Sequence, residues 1–150
     1  MSGQVEIRRA RAEEVPAIVA LLADDALGRT RETPGDPRYD AAFRAIDADP
    51  NQLLAVLVAE GDVAGTLQLT FIPGLSHLGA WRGEIEGVRI ASALRGTGLG
   101  ARLLEWAVEQ CRARGCRLVQ LTTNNARTDA QRFYARLGFQ PSHVGFKRTL

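Results

Sequence analysis

Residues 92–110, SALRGTGLGARLLEWAVEQ, place glycine at 96, 98 and 100 directly before an apolar, helix-forming run. Glycine gives up more backbone freedom on folding than any other residue, so three within five positions need a reason. Such a loop lets a ligand approach the bare backbone. It also opens onto a helix N-terminus, where free N–H groups and the positive end of the dipole favour an anion. The rest of the chain has to fold so that this junction meets its ligand.

Periodicity places the surrounding elements. QVEIRRA (4–10) alternates and predicts a strand. In 12–25, Val15, Ile18, Val19 and Leu22 recur at helical spacing, with Glu13 and Glu14 at the positive end. Residues 26–39 are a loop, and Asp36 with Pro37 after it predicts the start of a second helix to about 49. The continuous apolar run 53–60 predicts a strand covered on both faces. Gly61-Asp62 then turns into a strand over 63–72, with Val63, Leu67, Leu69 and Phe71 on one face. A loop (73–81) leads to a strand over 82–91, which feeds the glycine loop. The helix from about 98 to 114 carries Leu99, Leu103, Trp106, Ala107 and Cys111 inward. A strand over 117–123 follows, then a helix opened by a Thr128/Gln131 capping box and closed by Gly138; the last twelve residues leave room for one strand. The order β-α-α-β-β-β-α-β-α-β predicts an α/β (α+β) fold, a mixed sheet with helices on both faces. A length of 150 residues suits one domain spanning 1–150.

The charge is uneven. Residues 1–75 carry 7 Arg against 12 acidic residues, whereas 76–150 carry 12 basic against 5 acidic, so the glycine loop lies in the basic half. An anionic ligand suits the second half and a cationic one the first. No basic run interleaves with aromatics, so no nucleic-acid partner is expected. No run approaches a membrane span, and MSGQVEIRR lacks the apolar core of a signal peptide, so the expected location is cytoplasmic with no membrane partner. Cys111 and Cys116 match no metal spacing; reduced thiols and no metal are expected.

Three anion-binding loops compete. A phosphate-cradling P-loop needs Lys and Ser/Thr where this chain has Ala101 and Arg102. The dinucleotide fingerprint is formally met by Gly96, Gly98 and Ala101, but the next strand ends in threonines with no acid to hold a ribose. The third reading includes the arginine: Arg95-Gly96-Thr97-Gly98-Leu99-Gly100 is R-x-x-G-x-G between a strand and an apolar helix. With DAQRFYARLGF downstream, it resembles the acetyl-coenzyme A (acetyl-CoA) site of the GNAT superfamily of N-acetyltransferases, and the resemblance extends over essentially the whole chain.

That resemblance implies a mostly antiparallel sheet of six to seven strands. It also implies a pyrophosphate held by Arg95, Gly96, Thr97, Gly98, Leu99 and Gly100, and a pantetheine arm pairing with the backbone of Val88, Arg89 and Ile90. It makes Tyr134 the proton donor to the leaving thiolate, the bland alternative being core packing with Phe133 and Leu137. Where the family often has an asparagine on the cofactor arm, this chain has Arg127, with Asn124 and Asn125 nearby as substitutes. The resemblance points to the strand of Glu84 and Glu86 for a general base; two apart, they share a face, which Val88 and Ile90 would continue. The residues leave open which glutamate serves.

The implied reaction moves acetyl from acetyl-CoA to a primary amine by direct attack, as no Cys/His pair suggests a covalent intermediate. The acidic stretch Asp24, Asp25, Glu32, Asp36 and Asp40 suggests a cationic acceptor, a small amine or a protein lysine. A homodimer that completes the acceptor site fits the short C-terminal end. A module that binds acyl-CoA without turnover is the alternative.

Overall fold

The computed structural model describes residues 3–150; Met1 and Ser2, which begin the N-terminal stretch read above, lie outside the described residues. Strands β1 (Val5–Arg9), β2 (Gln52–Ala59), β3 (Asp62–Ile72), β4 (Arg82–Ile90) and β5 (Leu118–Leu121) form one sheet in that order. The first four are antiparallel neighbours, and β5 joins β4 in parallel. Helices α1 (Val15–Ala23), α2 (Gly28–Arg31) and α3 (Arg38–Ala48) precede β2, and a single turn, α4 (Ser76–Gly79), lies between β3 and β4. The crossover α5 (Leu99–Ala113) links β4 to β5, and α6 (Thr128–Arg136) follows.

Among the described residues, the expected six to seven strands are corrected to five. Residues 139–150 form no strand, and Val144, Phe146 and Leu150 stand exposed. Pro141 donates no hydrogen bond, and a segment that buries no apolar face has little to hold it in a ladder. The loop expected over 26–39 contains α2, because the Asp25 carboxylate accepts the Gly28 N–H and starts a turn. The β2–β3 turn sits one residue earlier than expected, since Ala59 pairs with Asp62 and both Glu60 and Gly61 have positive φ. The Thr128/Gln131 capping box does not form. Gln131 Nε2 instead donates to the Asn125 carbonyl, 3.1 Å away.

The main core lies on the sheet face covered by α5 and α6, where Leu53, Leu57, Leu67, Leu69 and Ile85 meet Leu103, Leu104 and Ala107. A smaller cluster of Ala10, Ile18 and Val56 lies under α1 and α3, and takes in Val63 and Phe43. Val63 therefore faces away from Leu67, Leu69 and Phe71, because an irregularity at Leu57/Val58 shifts the β2–β3 register.

Close packing of α5 on β4 depends on Gly83, where a Cβ would fall 2.3 Å from Cys111 Sγ. Cys111 is fully buried, and its burial pushes the thiol up to about 12. We expect Gly83→Ala to destabilise the protein by about 1–3 kcal/mol through overpacking. Thermal unfolding of Gly83→Ala/Cys111→Ala should recover most of that loss, and no recovery would refute the clash.

Candidate active site

The glycine loop forms as its composition demands, for two distinct reasons. Gly96 (φ 79°) and Gly98 (φ 86°) hold left-handed backbone, and a Cβ at either meets no atom within 4 Å. Gly100 differs: a Cβ there would press to 3.3 Å of the Phe133 ring, so this glycine seats α6 against α5. Ser92–Leu94 form a 3-10 turn, and Thr97 Oγ1 donates to the Leu94 carbonyl, which ties the loop down before α5 starts at Leu99. Arg95 lies against the protein. Its Nε donates to the Ile90 carbonyl (3.3 Å) and its Nη2 to the Asp24 carbonyl (3.2 Å), joining the loop to the end of α1.

Strand β4 supplies the next feature. It pairs with β5 only from Arg82 to Ile85, so among the described residues Glu86–Ile90 have no strand beside them on that edge. On the other edge, Gln68 pairs with Glu86 and Thr66 with Arg89, leaving Gly87 and Val88 opposite Leu67. That two-to-one pairing is a β-bulge, and Gly87 carries it with φ 62°. It corrects the expected facing. Glu84, Glu86 and Arg89 share the α1–α3 side, while Ile85, Val88 and Ile90 pack on the main core.

The register also separates the backbone groups. Ala91 N–H donates to the Ala64 carbonyl, so the Ile90 carbonyl and, two residues back, that of Val88 turn to the free edge. Arg89 turns its backbone to Thr66, which removes it from the residues able to pair with an inserted arm. At present Arg89 Nη1 donates to the Val88 carbonyl (2.9 Å).

The side chain of Arg89 has a separate place. Only 9% exposed, it lies with Nε 2.9 Å from Asp25 Oδ2. The N–H is poorly aimed, and Arg89 Nε makes no directed hydrogen bond among the described residues. The two partners respond differently. Burial lowers the Arg89 pKa despite Asp25, whereas for Asp25 the Gly28 N–H and the charges of Arg89 and Arg127 outweigh burial and lower its pKa. The short distance and the cap on Gly28 establish the pair as ionic, and the misaimed Nε is the cost of its geometry.

Tyr134 sits half-buried on the α5/α6 side, its ring 5.4 Å from Phe133 and 6.1 Å from Phe139. Its hydroxyl has no hydrogen-bond partner among the described residues. Burial raises the phenol pKa, opposed by the charges of Arg127 and Arg89. Across the sheet, Glu84 Oε2 accepts from Gln120 Nε2 at 2.6 Å, whereas Glu86 is exposed and makes no side-chain bond among the described residues. The free β4 edge thus separates a phenol on one face from a carboxylate on the other.

Asn124 is a turn residue, its Oδ1 accepting the Ala126 N–H at 2.9 Å. Asn125 offers its carbonyl to Gln131, and Arg127 is exposed. A cavity of about 230 Å³ lies between the α1–α2 turn and the β5–α6 turn, lined by Asp25, Ala26, Leu27, Asn124, Ala126 and Arg127. The acidic stretch is largely engaged within the protein. Asp25 is paired with Arg89, Glu32 accepts from Tyr39 (2.8 Å) and meets Arg31 (3.3 Å), and Asp36 grips Arg38 (2.9 Å). The sequence reading had missed the Asp25–Arg89 pair and Gln120. It had also missed the bulge, whose signal was a glycine within a strand.

Among the described residues, no helix is long and apolar enough to cross a membrane. The sequence profile of the Acetyltransferase (GNAT) family matches residues 16–139. The aminoalkylphosphonate N-acetyltransferase of Salmonella typhimurium is 32% identical over 145 residues, 97% of this chain and 91% of that protein. The L-methionine sulfoximine/L-methionine sulfone acetyltransferase of Pseudomonas paraeruginosa is 32% identical over 147 residues, 91% of this chain and 80% of that protein. A crystal structure described as a transcriptional regulator from Bacillus halodurans C-125 superposes with a TM-score of 0.94 at 46% identity, over 98% of this chain and all of that one.

Proposed function

Because the chain belongs to the GNAT acetyltransferase family, we propose that it passes the acetyl group of acetyl-CoA directly to a small primary amine held at the free edge of β4. The observation that carries this reading is the bulged, half-unpaired β4 running into the Gly96–Gly98 loop, with Tyr134 on one face and Glu86 on the other. In this reading the loop N–H groups and α5 hold the pyrophosphate, and the arm lies along Val88 and Ile90. Arg95 exchanges its bonds to the Ile90 and Asp24 carbonyls for a phosphate.

The chemistry has two proton problems. An alkyl ammonium of pKa about 10.4 is neutral in only about one molecule in 2,500 at pH 7, a handicap of roughly 4.6 kcal/mol. Glu86, unengaged, takes that proton directly or through water, and Glu84, held by Gln120, is the second candidate. The amine attacks the thioester carbonyl, the C–N bond forms and the C–S bond breaks, Tyr134 protonates the departing sulfur, and the second proton lost from nitrogen restores the phenol. A small acceptor rather than a protein lysine suits the cavity of about 230 Å³ beside Asp25 and Arg127. A relative 32% identical is named for aminoalkylphosphonates, which are small amines.

A second reading, acyl-CoA binding without turnover, draws on the solved relative described as a transcriptional regulator. Thiol release from acetyl-CoA across a panel of small amines decides between them. We expect turnover with at least one amine; tight cofactor binding with no thiol released by any amine would favour the sensor.

A further inference from the structure

The charges around the 230 Å³ cavity do not balance. Asp25 is matched by Arg89 and Glu32 by Arg31, and Asp24 faces the separate groove along α1 and residues 91–93. Arg127 alone of the cavity's charged groups makes no ion pair or side-chain hydrogen bond among the described residues. Arg89, nine-tenths buried against Asp25, leaves its Nε without a directed hydrogen bond among the described residues. The positive charges also act on one another, since Arg127 and Arg31 both add to the lowering of the Arg89 pKa. A group of arginines with one counter-ion too few is relieved by an anionic ligand.

The cofactor does not supply that anion. In the reading above its phosphates lie at the residue 95–100 loop, whereas Arg127 lines the cavity between the α1–α2 and β5–α6 turns, at the start of the helix that carries Tyr134. The anion must then come with the acceptor. Resting on the acetyl-transfer reading above, we infer that the acceptor amine carries an acidic group, a phosphonate or a carboxylate, and that the Arg127 guanidinium holds it. This replaces the expectation that Arg127 contacts the cofactor arm. Asp25, already neutralised by Arg89, lines the same cavity without opposing the acid.

Three acceptors that place two methylenes between the amine and the group compared make the test: 2-aminoethylphosphonate, 3-aminopropanoate and 3-aminopropanol. For wild type we expect kcat/KM to favour an acid-bearing amine over the alcohol by about 10- to 100-fold, the range of a charge-assisted contact. The phosphonate and carboxylate arms identify which acid the site takes. Arg127→Gln should remove that preference, bringing kcat/KM for the acid-bearing amines down to that for the alcohol in the same variant, with the acetyl-CoA Kd unchanged. Weakened acetyl-CoA binding, with the preference intact, would make Arg127 a cofactor residue and overturn the inference. Equal use of all three amines by wild type would overturn it as well. Calorimetry with propylphosphonate, which cannot be acetylated, gives a readout free of turnover. Arg127-dependent binding would support the anion seat even if no amine were acetylated. Binding that is absent, or equal in Arg127→Gln, would end it.

Discussion

Tyr134→Phe should lower kcat by about 100-fold or more while leaving the acetyl-CoA Kd and the melting temperature near their wild-type values. The ring contributes packing against Phe133 and Phe139, which phenylalanine retains. Only the hydroxyl is lost, and it has no partner among the described residues to miss it. A phenol of pKa about 10 can protonate a thiolate whose acid has pKa about 8.5. Burial raises the Tyr134 pKa further, so the proton stays in place through the neutral range. A core residue would behave differently, showing neither loss of turnover nor loss of stability on this substitution. The decisive measurement is single-turnover thiol release at saturating amine. A rate within about threefold of wild type would leave Tyr134 with packing alone.

The largest expected stability effect lies at Arg89. Arg89→Met leaves the Asp25 carboxylate, 17% exposed, without its counter-ion, and should cost about 3 kcal/mol. Asp25→Asn/Arg89→Met should recover most of this, because the amide oxygen still accepts the Gly28 N–H while the stranded charge is gone. The pH dependence follows from the lowered pKa of Asp25. A carboxylate with a depressed folded pKa contributes stability above its unfolded value near 4 and loses it as pH falls through the folded one. The deficit of Arg89→Met relative to wild type should therefore be full at pH 7 and shrink below about pH 4. Equilibrium urea unfolding at both pH values checks this. A deficit that is the same at each would mean Arg89 acts through packing rather than charge. The same pair holds the α1–α2 turn at the cavity, so the single variant should also raise acceptor KM.

Much of the fold was legible because its causes are local. The 3.6-residue period of Leu99, Leu103, Ala107 and Cys111 identified α5 and its buried stripe, although Leu104 is buried and Trp106 only partly so. Asp36 before Pro37 announced α3, and its carboxylate does accept the Arg38 N–H. Gly138, with φ 91°, ends α6 as its position promised. The last twelve residues misled because a sequence that permits a strand does not bury one, and pairing without burial is weak. In the candidate site, the glycine turn before α5 was readable from a short motif, and the family that it and the helix of Tyr134 point to matches most of the chain.

What the sequence determined by itself was the order of the main elements as far as α6, the glycine junction at Gly96–Gly98 and the family, each encoded within a few consecutive residues. Tertiary structure alone decided which side of the sheet each β4 residue faces, because one extra residue at Gly87–Val88 reverses the alternation that a strand otherwise imposes. It likewise decided that Asp25 is matched and that Arg127 has no ion-pair partner among the described residues. The energy of a charge depends on which partner lies within a few ångströms, and residues far apart in the chain acquire that neighbour only when the chain is folded.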